Sequence, residues 1–281
     1  MHYRHVDVFT DRACSGNGLI VFFGGTGRAG EELRAIATEM RQFESIFVGD
    51  GEAEDKVTAR IFTSEEELDF AGHPIIGAAA AAHERWADAD AERVWTFLAG
   101  GRDIEVKSRR EGGFYSAVMN QGHATLDDPL DESSAAGFLS ALGVSSGNRR
   151  DLPLQVVSTG LPYLIVPVGS AGLEEAHVGT ADLEASLLEV GAKFVYVFDP
   201  EAREGRTWDN AGVVEDVATG SAAGPAAAYL TEHGLIAETS FSLRQGRFVG
   251  RPSSMDVQVS TSSDIWVGGP VAPVASGVLD A

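Results

Sequence analysis

Apolar and polar positions change their spacing repeatedly along the chain, and the changes predict a mixed α+β protein. Short runs rich in β-branched and aromatic residues predict strands at Leu19–Phe23, Glu44–Val48, Val57–Phe62, Arg93–Phe97 and Phe114–Met119. Further strands are predicted at Gln155–Ser158, Tyr163–Val168, Phe194–Phe198 and Phe241–Arg244. Between them, helices are predicted over Glu31–Arg41, Pro74–Trp86, Ser133–Leu142, Asp182–Val190 and Ala222–His233. Polar, Gly- and Pro-rich turns punctuate the series.

The second part of this series echoes the first. Glu67-Leu68-Asp69-Phe70-Ala71-Gly72-His73 precedes one Ala-rich helix, and Glu215-Asp216-Val217-Ala218-Thr219-Gly220-Ser221 precedes another. Glu67 and Glu215 are 148 residues apart, as are Gly72 and Gly220. Just upstream, Arg60-Ile61-Phe62-Thr63 is echoed with a small shift by Arg206-Thr207-Trp208-Asp209. Two Ala/Gly-rich helix starts can be alike by chance, but the shared order of helix, strand, strand and small-residue helix argues for two similar halves. The expected division is 1–126 and 127–281, near the acidic loop Leu126–Glu132, with the last strand free to return to the first half.

Both echoes are helix entries suited to an anion. Pro74 sits in a first turn, where its missing N–H is not needed, and Thr219 and Ser221 carry hydroxyls that can cap. Gly72 and Gly220 let a ligand approach the backbone, whose free N–H groups and helix dipole favour a carboxylate. The small residues that follow, Gly77–Ala82 and Ala222–Ala228, imply helices closely surrounded by strands; packing alone, without a ligand, explains them equally well.

Three side chains are acid/base candidates. Glu44 lies in Gln42-Phe43-Glu44-Ser45-Ile46-Phe47-Val48, where period two puts Phe43 and Phe47 on one face and Ile46 and Val48 on the other. A carboxylate buried in such a strand has its pKa raised toward working pH, as a proton shuttle requires. The competing reading is a strand-end glutamate whose head reaches solvent. His73 stands at one helix entry, and Asp216 lies just before the other, where it either faces a ligand or complements the helix dipole.

Composition narrows the classes of partner. Acidic residues outnumber basic ones by 42 to 21, for a net charge of −21, which disfavours nucleic acid and anionic membrane surfaces. Cys14 is the only cysteine, so no intrachain disulfide is possible. The start lacks a signal-peptide core, and no apolar run approaches the roughly 18 residues of a membrane span, so a cytoplasmic protein is expected. No histidine shows metal-ligand spacing, and Phe22-Phe23-Gly24-Gly25-Thr26-Gly27 lacks the full dinucleotide fingerprint. Neither a metal nor an organic cofactor is expected.

Taken together, these segments resemble the PhzF-like family of phenazine biosynthesis, which shares the diaminopimelate-epimerase fold. The matching segments are Val6-Asp7-Val8-Phe9-Thr10, Ser15-Gly16-Asn17, Phe43–Val48, Arg60–Thr63 and Phe70–Gly77. They continue through Glu215–Pro225, Gln245-Gly246, Gly250-Arg251-Pro252-Ser253 and Val267-Gly268-Gly269. The resemblance implies two halves, each a curved mixed sheet around a central helix, with the active site in the cleft between them, and a homodimer. It implies that Glu44 moves a proton between ring carbons of a substrate such as trans-2,3-dihydro-3-hydroxyanthranilate, while His73, Asp216, Gly72, Gly220 and Ser221 bind and orient it. Related epimerases of this fold carry a cysteine at each helix start; His73 and Ser221 stand there instead, which argues against a two-thiol racemase. Gly18 and Val217 replace prolines usual in the family.

The expected activity is a double-bond shift by general acid/base proton transfer on a small cyclic or conjugated carboxylic acid, in secondary metabolism. Hydrolytic cleavage or epimerisation of an amino-acid-like substrate on the same fold is the alternative, as is a non-catalytic acid-binding protein. Exhaustive chelation is expected to leave activity intact; activity lost on chelation and restored by one specific metal overturns this.

Overall fold

The computed structural model describes residues 1–50, 55–87 and 89–280, leaving out the side chain of Asp50. The chain runs β1 (His2–Val8), β2 (Asn17–Phe23), α1 (Gly30–Met40), β3 (Glu44–Asp50), β4 (Lys56–Phe62), β5 (Glu67–Leu68), α2 (Gly72–Trp86), β6 (Glu92–Ala99), β7 (Arg102–Glu111) and β8 (Phe114–Gly122). It continues β9 (Thr125–Leu126), α3 (Glu132–Ala141), β10 (Gln155–Ser158), β11 (Pro162–Pro167), α4 (Ser170–Glu175) and α5 (Leu183–Glu189). Last come β12 (Phe194–Asp199), β13 (Glu204–Arg206), α6 (Gly220–Glu232), β14 (Ser240–Gln245), β15 (Ser253–Val259) and β16 (Ile265–Val278). Two compact units result: Met1–Asn120 with Gly250–Ser254 and Gly268–Ala281, and Gln121–Val249 with Met255–Val267. The change of unit at Asn120 precedes the acidic loop because β9 pairs with β10.

In the first unit the strand order is β1-β2-β3-β4-β6-β7-β8-β16, and β16 also pairs with β1, so the sheet closes on itself. Helix α2 packs against β1, β2, β3, β6 and β7, and every residue from Gly72 to His83 is buried. Its small side chains make this possible. A Cβ added at Gly77 would lie 2.5 Å from Leu19 Cδ2 and 2.8 Å from Val8 Cγ2, well inside van der Waals contact. The strands obey period two around this helix. Ile20, Phe22 and Phe47 cluster with Leu33, Ile36 and Ala37 of α1, which leaves the opposite face of β2 and β3 to α2.

In the second unit the order is β9-β10-β11-β12-β13-β14-β15, with α6 packed on β10 and β11. Leu164, Val166, Val195 and Val197 join residues of α3, α4 and α5 in one apolar cluster. The connections repeat those of the first unit. There, β2 and β3 are parallel across α1, β3 and β4 antiparallel, and β4 and β6 parallel across α2. Here, β11 and β12 are parallel across α4 and α5, β12 and β13 antiparallel, and β13 and β14 parallel across α6.

The echoed arginines and glutamates carry the repeat into side-chain chemistry. Arg60 makes a two-pronged pair with Glu67, both prongs 2.6 Å, and its Nη1 donates to the carbonyls of Thr26 and Arg28. Arg206 makes the same pair with Glu215 at 2.9 and 2.7 Å, and its Nη1 donates to the carbonyls of Leu173 and Ala176. In each unit the glutamate bridges back antiparallel, Glu67 to Phe62 at the end of β4 and Glu215 to Trp208, just beyond β13. One guanidinium thus ties the segment entering the central helix to an earlier loop or helix end.

The structure adds elements that the apolar pattern does not predict, namely β1, β5, β7, β9, β13, β15, β16 and α4. In β7 only Ile104, Val106 and Ser108 turn inward, between charged neighbours that mask the alternation. Phe43, expected to share a strand face with Phe47, precedes β3 and is 53% exposed; pairing with β2 starts at Glu44.

The two arginine pairs differ in burial. Arg206 and Glu215 side chains are 9% and 10% exposed, whereas Arg60 and Glu67 are 23% and 42% exposed. Glu215→Gln is expected to cost roughly 3 kcal/mol in urea denaturation, because it strips a buried guanidinium of its counter-charge. Glu67→Gln should cost less than about 1 kcal/mol. Equal losses would contradict this account.

Candidate functional site

Glu44 opens β3 on the face shared with Ile46 and Val48, toward α2. Asn17 opens the parallel neighbour β2, and the register places Leu19 beside Glu44. His73 is the second residue of α2. The first turn of that helix meets the two strand starts, and three polar side chains gather there. His73 Nδ1 lies 3.3 Å from Glu44 Oε2 and 3.5 Å from Asn17 Nδ2. Both Glu44 and His73 side chains are 8% exposed, so the reading of Glu44 as a strand-end residue reaching solvent does not hold.

Burial pushes the His73 pKa down from 6.5 to about 3. An ionised Glu44 would pull the other way, but where both groups are withdrawn from water the loss of hydration prevails. The imidazole is therefore neutral near pH 7. With Nδ1 facing Glu44 and Asn17, its Nε2 is buried and has no protein hydrogen-bond partner among the described residues. No side chain caps α2 at Ala71, and no acidic residue stands in its first turn, so the positive end of the helix is not offset by its own side chains.

Asp216, Gly220 and Ser221 gather in the second unit, at the start of α6. This helix too has no side-chain cap and no acid in its first turn. The hydroxyls expected to cap it are used elsewhere. Thr219 Oγ1 donates to Asp216 Oδ2 at 2.5 Å, and Ser221 Oγ lies 2.7 Å from the Tyr163 hydroxyl. Gln121 Nε2 donates to the Gly220 carbonyl at 2.9 Å and is held in turn by Thr159. Tyr196 is fully buried, burial pushes its phenol above the usual range, and its hydroxyl has no hydrogen-bond partner among the described residues.

Several supporting residues escaped the reading of candidates from sequence. Asn17 belongs to a recognisable segment, Ser15-Gly16-Asn17, whose shape depends on the far end of the chain. Arg251 donates to the carbonyls of Gly16 and Ser15 at 2.7 and 2.9 Å and to Asp7 Oδ1 at 2.7 Å. Gly16, at φ +63°, fits because a Cβ would come within 2.4 Å of the Val8 carbonyl. Gln245 lies in the matching pair Gln245-Gly246 but was not read as a candidate, and Tyr163 had no local signal marking it. Among the described residues no group of three His, Cys, Asp or Glu could hold a metal ion, and no helix is long and apolar enough to cross a membrane.

Residues 6–277 match the family model described as phenazine biosynthesis-like protein (PhzC-PhzF). A trans-2,3-dihydro-3-hydroxyanthranilate isomerase of Pseudomonas aeruginosa is 33% identical over 264 residues, covering 91% of this chain and 89% of the relative. A solved structure of a predicted epimerase, also from Pseudomonas aeruginosa, is 46% identical, with a TM-score of 0.94 over 100% of this chain and 99% of that one. A hydroxyproline epimerase from Agrobacterium vitis shares the fold, with a TM-score of 0.62 over 99% of this chain and 91% of its own, at 15% identity.

The low His73 pKa makes a signed prediction. Below pH 6.5 the unfolded chain takes up a proton at His73 that the folded protein refuses until about pH 3, so acid weakens the fold across that window. The stability of the wild type relative to His73→Gln should fall by about 1.4 kcal/mol per pH unit between pH 6 and 4. A difference that stays flat on acidification, in urea titrations of both proteins, contradicts a neutral buried His73.

Proposed function

We propose, since this chain belongs to the phenazine biosynthesis-like (PhzC-PhzF) family and is an isomerase of the PhzF type, that it shifts a double bond in a small cyclic carboxylic acid by proton transfer through Glu44. The observation that carries the reading is the buried carboxyl of Glu44 beside a neutral histidine at an uncapped helix start. His73 is neutral near pH 7, so its contact with Glu44 is not itself an ion pair. A carboxylate with little hydration is a competent base.

The step balances with no oxidant or reductant. Glu44 takes a proton from one ring carbon, the electron pair left behind moves the double bond along the conjugated system, and the carboxylic acid returns the proton to another carbon. His73 lies beside the Glu44 head at the strand start and is itself met by Asn17, and the free Nε2 of His73 offers the substrate a hydrogen-bonding partner. Gly72 and the first turn of α2 supply a positive field for a carboxylate. Asp216, Gly220 and Ser221 bind and orient substrate in this reading, as the family resemblance implies. Positioning and general acid/base work then supply the rate, the latter worth roughly 10²–10⁴-fold. The relatives' substrate, trans-2,3-dihydro-3-hydroxyanthranilate, is the first to try, with the enzyme acting as a cytoplasmic homodimer without a cofactor.

Glu44→Gln keeps the size of the side chain and leaves both helix starts intact. Turnover is expected to fall by at least roughly 10²-fold while affinity for the substrate changes little. In heavy water, deuterium found at the new C–H position supports a proton that is taken up by an enzyme group and exchanges with water before its return. A folded Glu44→Gln protein that turns over at the wild-type rate removes Glu44 from the mechanism.

A further inference from the structure

We propose that Gln245 and Thr219 form a relay that positions the carboxylate of Asp216, so that this carboxylate meets the substrate in one orientation; the proposal rests on Asp216 as a substrate-orienting residue. Gln245 ends β14, is 1% exposed, and reaches the segment entering α6. Each end of its amide faces a partner that can act in one sense only. The Thr219 backbone N–H donates to Oε1 at 3.3 Å, and the Asp216 carbonyl accepts from Nε2 at 2.9 Å. Turning the amide over would set donor against donor and acceptor against acceptor, so its orientation is determined.

The second hydrogen on Nε2 goes to Thr219 Oγ1 at 3.0 Å. That occupies a lone pair of the hydroxyl and directs its single hydrogen away from Gln245. The hydrogen points at Asp216 Oδ2, 2.5 Å away, the short distance of a hydroxyl bonded to a carboxylate. A hydroxyl without this constraint rotates among acceptors. Thr219 is the N-cap residue of α6 and would ordinarily spend its oxygen on the helix, yet it makes no side-chain cap. Its geometry serves Asp216 instead. A tie that only joined β14 to the helix entry would need the two backbone contacts of Gln245 and not the hydroxyl link.

The test uses the full chain and four variants: Thr219→Val, which keeps shape and removes the hydroxyl, Thr219→Ser, Gln245→Glu and Asp216→Asn. The kinetic probe is trans-2,3-dihydro-3-hydroxyanthranilate. Thr219→Val is expected to lower kcat/KM about tenfold, equivalent to one charge-assisted hydrogen bond, and Thr219→Ser to restore most of it. Gln245→Glu gives the hydroxyl a competing carboxylate and should act as Thr219→Val does. In an Asp216→Asn background, Thr219→Val should cost nothing further. A second readout is independent of turnover. The 13C signal of the Asp216 carboxyl, assigned by its loss in Asp216→Asn, should move in Thr219→Val and Gln245→Glu and stay in place in Thr219→Ser. An unmoved signal in folded Thr219→Val, or equal losses in Thr219→Ser and Thr219→Val, overturns the relay. A signal that moves as expected, in an enzyme inactive on this probe, leaves the relay standing and counts against the proposed reaction.

Discussion

A helix enclosed by strands has room for almost no side chain, and everything placed at its ends inherits that constraint. In the first unit the strands touch α2 so closely that Gly77 has no space for a methyl group against Leu19 and Val8. A helix gripped in this way cannot slide, since one residue of slippage is about 1.5 Å and every small side chain would meet a filled position. The position of Gly72 is set accordingly, and with it the 3.3 Å approach of His73 to Glu44. The chemistry at the helix start is thus a product of packing further along the same helix. Period two in β3 supplies the other half, for it turns Glu44 inward with Ile46 and Val48 while Phe47 packs under α1.

Much of this was visible in the residues. The predicted helix over Pro74–Trp86 is Gly72–Trp86, and the run Gln155–Ser158 is β10 at both ends. The paired echoes Arg60/Arg206 and Glu67/Glu215 are the same two-pronged contact made twice. Chemistry that depends on distant partners was not visible. Thr219 and Ser221 read as caps because a hydroxyl at a helix start ordinarily is one; only the arrival of Gln245 from β14 and Tyr163 from β11 diverts them. Asn17 gave no sign of its proximity to His73, 56 positions away. Strands such as β7 stayed hidden because a single buried face between charged residues resembles a solvated loop.

The acidity of the chain and the anion preference of its helix starts act over different ranges. Exposed charges fade over a Debye length of about 8–10 Å in ordinary salt, whereas a buried helix start is screened far less. A net charge of −21 therefore does not bar a carboxylate from two helix ends whose first turns carry no acid. The surface decides how the protein meets its surroundings, and the buried backbone decides what a helix end will hold.

The closure of the first sheet by β16 has a consequence for biosynthesis. Residues 268–278 lie between β8 and β1, so the barrel that opens the chain is sealed by its last strand. A ribosome adding about 5–20 residues per second needs roughly 7–30 s to pass from Gly122 to Gly268. Through that interval β1 and β8 are bare edges able to pair with other chains. The second unit emerges entirely within it. The nascent protein therefore completes its later half while the earlier one waits unsealed, and its yield in a crowded cell rests on how well two open strands are sheltered for those seconds.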